Sequence, residues 1–114
     1  MKATFHEKDS RATTILERIH TEVCRPFSVA STVNHRYYVI FFDDFSCKCW
    51  IFFMQKKSET YSNFCEFKAL VEKELGKKVM ALRSDNGGDF IYGEFKDFCS
   101  VEGIRREVIA PHNP

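Results

Sequence analysis

Apolar positions along the chain change period several times, and each change predicts an element. From Ile15 to Cys24 they alternate: Ile19, Thr21 and Val23 fall on one face, His20 and Glu22 on the other. That is the signature of a half-buried strand. Arg25-Pro26 closes it, since proline cannot donate to a ladder. "YYVIFFD" (37–43) and "KCWIFFM" (48–54) are continuously apolar and β-prone, and both read as central strands. The short "DDFS" between them predicts a hairpin. Ser58 then reads as a helix N-cap with Glu59 in the first turn. Tyr61, Phe64, Phe67, Val71 and Leu75 form one broad helical face, and Gly76 stands where a left-handed C-terminal cap belongs.

"VMALRS" (79–84) predicts another strand. "GEFKDFCSVEG" (93–103) predicts a helix with Phe95, Phe98 and Cys99 inward, and "RREVI" (105–109) a last strand. Residues 1–14 read as a polar arm and 15–114 as the folded part. The order β-β-β-α-β-α-β calls for a mixed five-stranded sheet with helices packed on it, an α/β architecture.

Composition narrows the picture. With 44% hydrophobic and 15% aromatic residues, 12 of them Phe, the 114 residues can bury one core. A formal net charge of +1 lacks the overall basic footprint of a dedicated DNA-binding module. Positive charge is local, at Lys56-Lys57, Lys77-Lys78, Arg83 and Arg105-Arg106. The five cysteines are odd in number, and the C-x-C of Cys47 and Cys49 has no second pair or nearby His to complete a zinc pattern. They read as small buried side chains in a reducing, intracellular setting. No apolar run spans a membrane and no signal peptide opens the chain, so no membrane partner is expected.

The stretch "LRSDNGGDF" (82–90) carries the chemistry. Asp85 follows a strand, and Asn86, Gly87 and Gly88 permit a sharp turn just after its carboxylate. An EF-hand loop counted from Asp85 would need Gly where Phe90 stands and Glu where Lys96 stands. A P-loop would need Lys-Ser/Thr after the glycines. An ordinary Asx-type turn and a metal-presenting turn both remain open on these residues alone.

"ILERIHTEVCRPF", "YYVIFFDDFSCKCWIFFMQKKSET", "ALRSDNGGDF" and "APHNP" resemble, in order and spacing, the integrase catalytic core of copia-type LTR retrotransposon Pol polyproteins. The resemblance runs from about Arg11 to Pro114. It implies a ribonuclease H-like fold and three carboxylates holding two divalent metals, normally magnesium (or manganese), for phosphoryl transfer on DNA. Asp85 matches the second carboxylate. Glu22 matches the first, where the family has Asp; one extra methylene moves the carboxylate by about 1.5 Å, and magnesium demands near-ideal geometry. The third, a Glu on a helix past the "PHNP" loop, falls beyond Pro114, so the C-terminal helices of the core are expected to be missing.

Arg25 replaces the Gly usual before Pro26, Cys47 replaces an Arg after "DDFS", and the resemblance does not include the upstream His/Cys zinc module. A truncated or decayed copy, inactive alone, is the implied reading. The implied partners are element-end and target DNA, with a possible homo-oligomer. A non-catalytic nucleic-acid-binding or assembly module is one alternative. A ribonuclease H-type nuclease is another, which the "DDFS" hairpin and the order of "SDNGG" and "APHNP" disfavour.

Four further residues are weaker candidates for nucleic-acid contact: Asn86, His20, Lys56 and Lys57. Asp43 and Asp44 read as turn residues more readily than as extra ligands. His112 and Asn113 belong to the "PHNP" loop, with nothing after it to fix them.

Overall fold

The computed structural model describes residues 11–25, 36–85 and 93–109. Its five strands are β1 (Ile19–Cys24), β2 (Tyr37–Asp43), β3 (Cys49–Met54), β4 (Ala81–Asp85) and β5 (Arg105–Ile109). Two α-helices join them, α1 (Thr60–Leu75) and α2 (Gly93–Glu102). The spatial order is β3-β2-β1-β4-β5. β1 runs antiparallel to β2 and β2 to β3, whereas β1, β4 and β5 are parallel. The sheet is therefore mixed, as expected, and the β3–α1–β4 connection passes over two strands.

Alternation along the strands decides what each face does. Ile19, Val39, Phe41 and Leu82 are buried on one face. There they meet Phe64, Phe67 and Val71 of α1 and Phe95 and Cys99 of α2. Phe41 stacks on Phe67 at 4.5 Å and Phe64 on Phe95 at 5.1 Å, so both helices share this face through one aromatic layer.

Local chemistry sets the helix ends. Gly76 closes α1 in the left-handed region, at φ 69°, and its N–H donates to the Glu72 carbonyl at 2.9 Å. The start differs from the expected Ser58 cap. A 3₁₀ turn, Lys57–Glu59, precedes α1, and Ser58 lies inside it. The Glu59 carboxylate reaches back to the N–H groups of Gln55 (3.2 Å) and Lys56 (3.1 Å). The capping carboxylate is thus that of Glu59, at the third position of the turn, and it satisfies N–H groups at and ahead of the turn's start.

Two other expectations are corrected. β3 is an edge strand, not a central one, and its alternate residues Ile51 and Phe53 are about half exposed. A continuous apolar run signals burial on both faces, and among the described residues only one face is covered. The cysteines are also less buried than expected: all five are free, Cys99 alone is buried, and Cys47 and Cys49 are exposed at the hairpin. The turn dictates that exposure: Cys47 adopts φ 68° and its N–H donates to the Asp43 carbonyl at 2.8 Å.

Candidate active site

The site forms where β1 and β4 lie side by side. Their parallel register pairs Ile19 with Leu82 and His20 with Arg83. Carried two residues on, it sets Glu22 level with Asp85. His20, Glu22, Arg83 and Asp85 thus share the face opposite the helices. His20, Thr21, Glu22, Arg83, Ser84, Asp85 and Ile109 line one concavity of about 300 Å³ there. Both carboxylate residues are exposed. An adjoining apolar hollow of about 360 Å³, bounded by Ile40, Phe42 and Cys49, shares His20 and Glu22.

Solvent-facing carboxylates are the hard oxygen donors that a divalent cation takes, so Glu22 and Asp85 fit one chemically. Among the described residues no cluster of three or more His, Cys, Asp or Glu side chains gathers to hold a metal. The Cys24 thiol, two residues on, is pushed up first by burial and then by the neighbouring Glu22 carboxylate.

Asp43 and Asp44 are committed elsewhere. Asp43 is fully buried. Its two oxygens accept the N–H of Leu16 at 2.8 Å and of Ser46 at 2.7 Å, tying the entry to β1 to the hairpin. Asp44 accepts the Ala12 N–H at 2.6 Å and meets His20 Nε2 at 2.8 Å. Burial raises the Asp44 carboxyl, but the Ala12, His20 and Arg18 contacts outweigh burial and hold it below its ordinary value. His20 is therefore anchored at one nitrogen beside the concavity.

Lys56 and Lys57 are exposed past the end of β3. Lys57 Nζ lies 5.8 Å from the Tyr37 ring centre. β2 and β1 separate them from Asp85 in the sheet order. Asn86, Asp89, His112 and Asn113 lie outside the described residues.

Sequence reading did not single out Glu107. Its carboxylate gathers Arg18, Arg83 and Arg105 at 2.9–3.0 Å. The signal was faint: Arg83 and Arg105 stood out as local charge, but only the pairing of β4 with β5, which sets Arg83 opposite Glu107, brings them together.

This sheet order, with acidic residues on neighbouring parallel strands at the sheet's open face, is the integrase-core form of the ribonuclease H-like fold. Solved structures share it. One, of the simian T-cell lymphotropic virus intasome in complex with PP2A regulatory subunit B56 gamma, superposes with TM-score 0.72 at 19% identity, covering 92% of this chain and 36% of that one. The HTLV-2 integrase catalytic core domain in complex with magnesium (dimeric form) gives 0.69 at 21%, covering 88% and 64%.

Residues 8–114 match the integrase core domain family, and the chain belongs to it. It is 38% identical over 113 residues to the retrovirus-related Pol polyprotein from transposon TNT 1-94 of Nicotiana tabacum. It is 34% identical to that from transposon RE2 of Arabidopsis thaliana. Each match takes in 99% of this chain and 8% of the relative's length.

Proposed function

We propose that the chain works as part of a copia-type integrase core in DNA integration, with Glu22 and Asp85 as two ligands of a divalent cation, magnesium or manganese. The carrying observation is that both carboxylates open on one concavity, on the same face of adjacent parallel strands. When bound, the cation supplies charge stabilisation to a phosphoryl transfer. The residues of the chain hold it and shape the concavity, and the sheet fixes Glu22 against Asp85. The HTLV-2 core solved with magnesium supports the choice of metal, and its dimeric form supports self-association. DNA inside the cell is the partner this reading requires.

On this reading residues 1–114 carry two of the three carboxylates that the resemblance implies, and Glu22 is a methylene longer than the Asp of the family pattern. By themselves these 114 residues should therefore run the reaction slower by on the order of a thousandfold or more. The test uses labelled element-end DNA with magnesium or manganese. The chain as it stands, and its Glu22→Asp variant, should give no strand transfer. Glu22→Asp joined to a downstream segment carrying the third carboxylate should give it. Turnover by the unaltered chain, abolished by Asp85→Asn, would overturn the inactive reading and show that the site is complete without the third residue.

A further inference from the structure

The two edges of the sheet are guarded differently. β5 carries Arg105, Arg106 and Glu107 among its five residues. β3 (CWIFFM) carries no charge and no proline, and among the described residues no strand lies beyond it. Charge and proline are the usual means of blocking a sheet edge, so β3 is open to pairing where β5 is not.

The Asp43 N–H donates to the Lys48 carbonyl at 2.9 Å, so these opposed residues form a hydrogen-bonded pair. Such pairs alternate along an antiparallel ladder. Trp50 and Phe52 therefore turn their backbone groups toward β2, opposite Phe41 and Val39, and Cys49 and Ile51 turn theirs away from it. A strand laid along this edge meets the N–H and C=O of both. Its side chains find apolar neighbours on either side of the sheet. Ile51, half exposed and paired with Ile40, lies on the open side, and the partly buried rings of Trp50 and Phe52 lie on the helix side.

Charge selects the occupant. Lys48 is exposed just before β3, Lys56 and Lys57 are exposed just after it, and Arg36 is exposed at that same end. The acids at the two ends are Asp43, Asp44 and Glu59. Each already accepts backbone N–H groups, and Asp44 also holds His20. A second copy pairing antiparallel through β3 would bring Lys48 of each copy toward Lys56 and Lys57 of the other, like charge against like at both ends. A segment with acidic ends meets opposite charge at both.

We propose that the outer edge of β3 is a docking site for an extended peptide with an apolar, β-prone centre and Asp or Glu at both ends, which joins the sheet as a further strand. The site is separate from the carboxylate pair, because β2 and β1 lie between this edge and β4.

The test adds a labelled synthetic peptide, Asp-Asp-Val-Thr-Ile-Thr-Val-Asp-Asp, to the full chain and reads fluorescence anisotropy and NMR-detected amide exchange. Saturating peptide should slow exchange of the Cys49 and Ile51 amides roughly tenfold or more, and leave those of Trp50 and Phe52, already bonded to β2, as they were. Replacing the Asp residues of the peptide by Lys should weaken binding roughly tenfold at low salt, and added salt should narrow that gap. Lys48→Glu, Lys56→Glu and Lys57→Glu together should reverse the preference. Ile51→Pro removes an outward donor, leaves the β2–β3 bonds in place, and should abolish binding. A peptide N-methylated through its centre leaves the protein unaltered, cannot donate to the edge, and should not bind either. The proposal is overturned if N-methylation leaves affinity unchanged, if bound peptide leaves Cys49 and Ile51 exchange unaltered, or if neither peptide binds. It is equally overturned if the Lys-ended peptide binds as well as the Asp-ended one. Self-association that slows the same two amides without peptide would make a second copy the occupant. Slowing by a short DNA duplex and not by peptide would make the edge a nucleic-acid surface. Either result rejects the acidic peptide.

Discussion

On one face of the sheet Phe41 lies flat against Phe67 and is fully buried, and α1 and α2 close over it. On the other, the residues between those core positions include Glu22, Arg83 and Asp85 beside Ile40, Phe42, Ile51 and Phe53, and no described helix covers them. The same strands thus supply a packed aromatic layer and an open surface, half charged and half apolar. Folding free energy comes from the first face. On the proposed reading the chemistry belongs to the second, where the Glu22 and Asp85 carboxylates are open to water. The two faces should therefore respond differently to substitution.

The largest effect is expected in the aromatic layer. Phe41→Ala removes a fully buried ring that touches Phe52, Phe64 and Phe67. It should cost about 3–5 kcal/mol in urea unfolding, enough to unfold a marginal domain. A loss below about 1 kcal/mol would mean that the core does not centre on this layer.

Acid should act next, through two carboxylates held low. Burial raises Glu107, but hydrogen bonds from Arg105, Arg18 and Arg83 outweigh burial and keep it below its ordinary 4.5. Asp44 lies likewise below its ordinary 3.8. A group whose folded value is depressed stabilises the fold above its unfolded value and loses that contribution as pH falls through the folded one. Stability should therefore be flat near neutrality and decline from about pH 4.5 downward, and Glu107→Gln should flatten the decline. A decline that is unchanged in the Glu107→Gln variant would remove Glu107 as a source.

The smallest effect on stability belongs to the open face. Phe53→Ser should shift unfolding by no more than about 0.5 kcal/mol, as surface changes do. It should also raise solubility, because Phe53 and Ile51 lie on an exposed apolar edge strand. A well-behaved monomer at high concentration without that change would show that the apolar half of this face is no liability.

Much of this division was legible in the sequence. The alternation of Ile19, Thr21 and Val23 with His20 and Glu22 separated the faces of β1, and the face of α1 from Tyr61 to Leu75 named the core. The carboxylate pair needed more: Glu22 and Asp85 are far apart in the chain, and only the order of motifs joined them before the sheet did. Two things escaped. Apolar runs such as "CWIFFM" state that side chains prefer burial, not what covers them, so β3 read as central. Charges were read locally: Arg83 and Arg105 stood out as separate positive positions and Arg18 and Glu107 were not singled out, until the parallel pairing of β4 and β5 set Arg83 against Glu107. Asp44 stands in the turn and Asp43 ends β2, and the sequence did not show that they reach back to Ala12, Leu16 and His20.

The central claim is that Glu22 and Asp85 act together on one cation. Water-proton relaxation in a manganese titration measures this directly. The unaltered chain should bind manganese weakly, as suits an exposed site with two protein carboxylates, and Glu22→Gln and Asp85→Asn should each remove most of that binding while leaving the unfolding curve in place. Titrations of both variants that superpose on that of the unaltered chain would contradict the claim.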